Sequence, residues 1–157
     1  MDSLLHTPEG VRDIYNDECE RKIILEERLL TVLKSYGYHP IQTPTFEFFD
    51  IFGQEVGTTP SKELYKFFDR EGNTLVLRPD MTPPMARCVS KYYMDEEMPI
   101  RFCYSGQTFI NSAEHQGKLK ERTQIGAELF GDNKADADCE TLAMTIEALL
   151  DCGLKEF

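Results

Sequence analysis

The chain has 157 residues, 41% of them apolar, which suits one soluble domain large enough to bury a proper core. Seventeen basic against 28 acidic residues leave a formal net charge of −11, a surface that repels a phosphate backbone and argues against nucleic acid as the main partner. The five cysteines (Cys19, Cys88, Cys103, Cys139, Cys152) form no C-x-x-C pair, and the three scattered histidines (His6, His39, His115) offer no zinc-ligand spacing, so neither a metal nor a cofactor is implied.

The opening MDSLLHTPEG lacks the basic and apolar regions of a signal peptide, and no apolar run is long enough to span a membrane. The expected compartment is the cytoplasm, with reduced thiols. Cys88, Cys103 and Cys139 fall inside predicted elements and read there as small buried hydrophobes. After the Pro- and Gly-punctuated HTPEGVRDIY, a helix is expected from Asn16 or Asp17, where Asp17 and Glu20 have the spacing of a capping box. Leu25, Leu29, Val32, Leu33 and Tyr36 recur at helical spacing, and Gly37 is placed to stop the helix.

The stretch YHPIQTPTFEFF is rich in β-formers but broken by Pro40 and Pro44, which suits an edge strand or an interface. Residues 62–69 and 74–78 read as a hairpin turned at Arg70-Glu71-Gly72-Asn73. In PDMTPPMARCVSKYY, Thr82 is a natural N-cap and Pro83 sits at the first helical position, predicting a helix to about Tyr93. A last helix, Ala135 to Cys152, would carry Leu142, Ile146, Leu149 and Leu150 on one face, with Gly153 as its stop. The closing Leu154-Lys155-Glu156-Phe157 starts a new apolar–polar segment, so 157 residues read as the N-terminal part of a longer chain.

The stretch from Arg101 to Gly131 predicts two strands joined by a polar loop. In the second strand Ile125, Ala127 and Leu129 face one way, and Gln124, Gly126 and Glu128 the other. An amide and a carboxylate flank a glycine whose bare backbone leaves room for something to lie against it, the pattern of a pocket floor. The loop's Lys118, Lys120 and Arg122 form a local basic spot, or a solvated charge run.

Taken in order, TPEGVRDIY, GYHPIQTPTFE, ELYKFFDREGNTLVLRPDMT and RFCYSGQTF…QGKLKERTQIGAELFG resemble the catalytic domain of histidyl-tRNA synthetase and its paralogues over nearly the whole chain. The resemblance implies an α+β, class II aminoacyl-tRNA synthetase-like fold, a mostly antiparallel sheet flanked by helices, with motif 3 lying beyond Phe157. It implies that the segment around Pro44 is motif 1, which builds the dimer interface in the family, here with Tyr38, Pro40, Pro44 and Phe46. The 101–131 hairpin corresponds to motif 2.

Two relatives compete within the family: the synthetase, and the synthetase-like regulatory subunit of ATP phosphoribosyltransferase, which partners the short catalytic form of that enzyme. In synthetases an arginine follows the phenylalanine that ends the first motif 2 strand and grips the ATP α-phosphate, and a glutamate follows two residues later. Here Ile110 and Ser112 stand at those positions. Isoleucine offers no charge-assisted bond to phosphate, and losing one such donor typically costs about a hundred- to a thousand-fold in rate. The ATP site is thus read as degenerate, unless Lys118 or Lys120 reaches the phosphate instead. LRPDMT likewise departs from the synthetase pattern, which carries a glutamate and a glycine before the threonine. Asp80, Thr82, Gln124 and Glu128, with Gly126, match by position the residues that hold histidine in the family. Charged and neutral oxygens converging on an α-ammonium suit that ligand; the alternative readings are that Thr82 only caps its helix and that Asp80 forms a salt bridge to Arg78 or Arg87. The expected function is a non-catalytic regulatory subunit binding histidine, a homodimer within a hetero-oligomer. The alternatives are an active histidine–tRNA ligase and a free-standing amino-acid-binding paralogue.

Overall fold

The structure, a computed structural model, describes residues 5–53, 59–112 and 118–157. The loop at 113–117, with His115, lies outside the described residues. Two units form, each with its own apolar cluster: Met1–Ile14, Thr43–Lys91 and Gln107–Gln124 make the first, and Tyr15–Gln42, Tyr92–Gly106 and Ile125–Phe157 the second.

In the second unit, α1 (Asn16–Ser35) ends as its sequence requires. Gly37 takes φ 83°, its N–H donates to Lys34 O at 3.0 Å, and the Tyr38 N–H reaches back to Leu33 O at 3.4 Å. This is a Schellman closure, for which the achiral Cα of glycine carries no penalty. The start at Asn16 is as expected, but the cap is not. Tyr15, in extended backbone, is the N-cap residue and supplies no side-chain cap, because Asp17 already lies within the first helical turn. A capping side chain must sit outside the helix, so the Asp17–Glu20 box does not form, and Asp17 and Glu18 instead place charge at the positive end of the helix dipole. Val32 and Leu33 are the buried residues of α1, with Leu30 and Tyr36 packed beside them, whereas Leu25 is exposed.

Three strands complete this sheet in the order β1 (His39–Pro40), β5 (Ile100–Phe109), β6 (Glu121–Phe130). β1 runs parallel to β5, with His39 opposite Phe102 and Pro40 opposite Cys103. Pro40 lies at the sheet edge, where its missing N–H breaks no central ladder. Ile125, Ala127 and Leu129 pack on the cluster of Leu33, Tyr38, Cys103 and Met144, as the alternation of β6 predicts. α4 (Ala135–Asp151) buries Ala137, Met144 and Ala148; of the expected face of Leu142, Ile146, Leu149 and Leu150, Leu149 is half-buried and the other three are exposed. Small alanines let a helix backbone come close to its neighbour, and the flexible Met144 fills the remaining space. Of the three cysteines expected inside, Cys103 is buried, Cys88 is half-buried and Cys139 on α4 is exposed.

In the first unit the order is β2 (Phe46–Phe48), β4 (Thr74–Leu77), β3 (Lys66–Phe68), antiparallel throughout. The expected hairpin forms here as β3 and β4, with Gly72 at φ 85° in its turn and Asp69 accepting the Asn73 N–H at 2.8 Å. The Pro-interrupted stretch thus divides into two short edge strands, β1 and β2, in two different sheets. α2 (Asp50–Gly53) and a 3-10 turn (Ser61–Glu63) bring Phe52 and Leu64 onto Val76, with Phe49 and Ile51 around them. Register sorts the sheet by face. Phe46 and Phe48 lie opposite Leu77 and Leu75, and Phe67 opposite Leu75, so these five share one side. Glu47 and Val76 point to the other. α3 (Thr82–Tyr92) buries Pro84, Met85 and Val89 and carries Arg87, whose Nη2 donates to Glu47 Oε1 at 2.7 Å.

That ion pair is one-sided, with the Glu47 side chain 6% exposed and that of Arg87 30%. Removing Arg87 strands a buried carboxylate, whereas removing both charges does not. Arg87→Met is expected to lower the stability of the full-length protein by about 2 kcal/mol, discounted for the exposure of Arg87. Glu47→Leu in the same chain should recover most of the loss. Urea unfolding monitored by circular dichroism checks both, and a single variant as stable as the wild type would show the pair to be idle.

Candidate functional site

β6 supplies the residues on which the functional reading turns. With its core face committed to the second unit, the alternate residues Gln124, Gly126 and Glu128 share the other face of one continuous strand. A Cβ added at Gly126 would stand 2.5 Å from Tyr104 Oη and 2.7 Å from Tyr104 Cζ. The neighbour that the bare backbone accommodates is therefore the phenol of Tyr104, a buried residue of β5. Composition and motif reading missed Tyr104. The signal was available in the hairpin register: Ile110 meets Lys120 and Thr108 meets Arg122, which sets Tyr104 across from Gly126. An aromatic ring facing a glycine across two strands marks a close approach.

In the first unit, Gln124 Nε2 donates to Asp80 Oδ1 at 3.2 Å, and the same oxygen accepts the Thr82 N–H at 3.3 Å. Asp80 thereby takes up an amide at the first residue of α3, where the helix dipole favours a carboxylate. The two arginines that the sequence offers as alternative partners for Asp80 are engaged elsewhere. Arg87 pairs with Glu47, and Arg78 donates to the backbone oxygens of Gln107, Thr43 and Pro44. Burial pulls the Arg78 guanidinium below its ordinary range, and the nearby charge of Glu47 offsets part of that effect. Thr82 is exposed, while Gln124 and Glu128 are half-buried.

The motif 2 positions gather at the tip of the hairpin. The Ile110 N–H donates to Lys120 O at 2.8 Å, and the Asn111 N–H to Glu63 O at 2.8 Å. Ser112 is half-buried and Lys118 exposed. Lys120 is held against the opening segment: its N–H donates to Gly10 O at 2.7 Å. Gly10, at φ 85°, lies so close that an added Cβ would stand 2.6 Å from Lys120 Cγ. The stem of Lys120 thus crosses a glycine that only a residue without Cβ can supply.

The four residues of the expected dimer segment separate by burial. Tyr38 is in the core of the second unit at 2% exposed, and burial lifts its phenol above the ordinary range. Pro40 and Pro44 are exposed. In the first unit Phe46, 50% exposed, meets Phe67 edge-to-face at 5.8 Å between ring centroids. Phe48, on the same face, is also exposed. No helix among the described residues is long and apolar enough to cross a membrane.

Comparison with known proteins agrees with this geometry. A curated relative from Ruminiclostridium cellulolyticum, named ATP phosphoribosyltransferase regulatory subunit, is 44% identical over 153 residues, covering 98% of this chain and 36% of the relative. The crystal structure of an ATP phosphoribosyltransferase regulatory subunit/histidyl-tRNA synthetase from Bacillus halodurans superposes with a TM-score of 0.88 at 37% identity, over 98% of this chain and 39% of that one. A histidine–tRNA ligase subunit from Alicyclobacillus acidocaldarius superposes with a TM-score of 0.82 at 30% identity, over 96% and 43%. The chain thus spans well under half the length of the proteins it matches, and the fold is that of class II synthetases. The family model for histidyl-tRNA synthetase matches residues 10–157, and the chain belongs to that family.

Proposed function

We propose that this chain is the synthetase-like part of a regulatory subunit of ATP phosphoribosyltransferase, acting in the first step of histidine biosynthesis without aminoacylating. The observation that carries the reading is Ile110 in place of the phosphate-gripping arginine, with Ser112 in place of the glutamate that follows it. A relative bearing that subunit's name at 44% identity supports it. The synthetase alternative asks for a cation near Ile110, and the candidates are Lys118, which is exposed, and Lys120, whose stem is tied to Gly10. The partner is the short catalytic form of the transferase, and the compartment is the cytoplasm.

The ligand proposed for Asp80, Thr82, Gln124 and Glu128 is free histidine, with the α-ammonium taken by the carboxylates. Asp80 is already engaged by Gln124 at 3.2 Å, so a ligand ammonium would join an existing pair instead of organising a loose one. The homodimer proposed through motif 1 is supported by Phe46 and Phe48, exposed on the apolar side of the first unit's sheet.

Catalysis is tested by histidine-dependent exchange of pyrophosphate into ATP in the full-length protein. None is expected, and Ile110→Arg alone should not restore it, because Ser112 also departs from the synthetase pattern. Exchange at rates typical of a synthetase would overturn the regulatory reading.

Ligand binding is tested by calorimetry on the full-length protein, alone and with the transferase. Glu128→Ala should weaken histidine binding about tenfold or more, on the scale of a charge-assisted bond. Gly126→Val should abolish it by driving the Tyr104 ring out of place. Absence of binding at millimolar histidine in both forms would leave structural activation of the partner as the subunit's role.

Assembly is tested by sedimentation. A dimer at micromolar concentration is expected for the full-length protein, and Phe46→Asp with Phe48→Asp should yield monomer. A wild-type monomer would count against the motif 1 contact.

A further inference from the structure

Arg78 lies two residues before Asp80 and is 6% exposed. Its side chain joins three segments of the first unit that are distant in sequence. Nε donates to Gln107 O at 2.8 Å, and Nη1 to Thr43 O at 2.8 Å and Pro44 O at 3.1 Å, with Thr43 Oγ1 at 3.4 Å. The Arg78 backbone adds two bonds to the same segments. Its N–H donates to Thr45 O at 3.0 Å, and its carbonyl accepts the Phe109 N–H at 2.9 Å. These acceptors are mostly backbone oxygens, whose positions follow the path of the chain, whereas a carboxylate would move with its own side chain. A guanidinium presents its donors in a rigid planar fork, so several such bonds fix the orientation of the group as well as its position.

We propose that Arg78 is the positioning residue for Asp80: its fork locks the Arg78-Pro79-Asp80 turn against Thr43-Pro44 and Gln107, and so sets the Asp80 carboxylate where Gln124 Nε2 meets it. Pro79 transmits the constraint, since its ring fixes φ and leaves little freedom in which a displacement at Arg78 is absorbed. The proposal gives the motif 1 and motif 2 segments a shared role in placing one carboxylate. It rests on the reading of Asp80 and Gln124 as histidine contacts for its consequence in binding, but not for the geometry it asserts. Lysine does not substitute. A single ammonium on a flexible stem reaches one carbonyl cluster or the other, without the fork that spans Gln107 and Thr43.

The experiment uses the full-length protein with Arg78→Lys, Asp80→Asn and the double variant. The first readout is the nitrogen-15 NMR signal of the Gln124 side-chain amide, which reports its bond to Asp80 whether or not histidine binds. In folded Arg78→Lys this signal is expected to move toward its position in Asp80→Asn. The second readout is the histidine affinity. Each single variant should weaken it about tenfold, and the double variant no further than Asp80→Asn alone, because the two changes remove one arrangement. An unmoved Gln124 signal, or losses of affinity that add, overturns the proposal. If the wild-type protein binds no histidine, the ligand reading fails by itself and the Gln124 signal still decides the positioning. If Arg78→Lys does not fold, Arg78→Ala supplied with ethylguanidinium takes its place. Return of the wild-type Gln124 signal then supports the proposal. A chain that stays unfolded overturns it, the guanidinium then holding up the whole unit and not one carboxylate.

Discussion

A guanidinium withdrawn from water among backbone carbonyls is the interaction on which the first unit depends. Moving a cation out of water costs several kcal/mol unless its donors are met, and Arg78 meets Gln107, Thr43 and Pro44 at 2.8–3.1 Å. Those carbonyls come from the lead into β2 and from the end of β5, so the charge is satisfied only when both segments are in place. Glu47 extends the arrangement, since its charge favours the Arg78 cation while its carboxylate bonds Arg87. This also specifies register. Side chains alternate along a strand, and slipping β2 by one residue would turn Glu47 outward and drive Phe46 and Phe48 against Val76. The buried carboxylate therefore dictates which face of β2 carries the phenylalanines, and hence which face is left apolar and exposed.

Features with a local physical cause were legible in the sequence. Gly37 and Gly153 each end a helix because a left-handed residue is needed there, and Pro83 lies in the first turn of α3 because its missing N–H costs nothing there. The alternation of β6 placed Ile125, Ala127 and Leu129 in the core. Features decided by tertiary context were not. The expected face of α4 carried Leu142, Ile146, Leu149 and Leu150, yet the helix turns Ala137, Met144 and Ala148 inward and leaves Leu149 half-buried, since close approach rewards small side chains over large ones. The Asp17–Glu20 spacing satisfies the pattern of a capping box, but the helix begins two residues too early to use it, with Tyr15 as its N-cap. Tyr104 and Arg78 escaped for a further reason. The importance of each lies in what stands opposite, a glycine across the hairpin for one and three carbonyls from distant segments for the other, and neither neighbour is adjacent in sequence.

The candidate site was half legible in the same sense. Gln124 and Asp80 are 44 residues apart and meet through one hydrogen bond, a contact that no periodicity predicts and that motif position alone suggested. Gly126 was read as a pocket floor, and its close neighbour is the protein's own Tyr104 ring.

Charge separates the two binding tasks that the proposed function distinguishes. A triphosphate and an α-ammonium ask for opposite fields. An arginine at position 110 would serve the first, whereas the carboxylates Asp80 and Glu128 suit the second. On the reading proposed above, the phosphate grip and the ammonium grip are separable because they call for residues of opposite sign at different places, position 110 on the motif 2 hairpin for the first and, for the second, Asp80 ahead of α3 with Glu128 on β6.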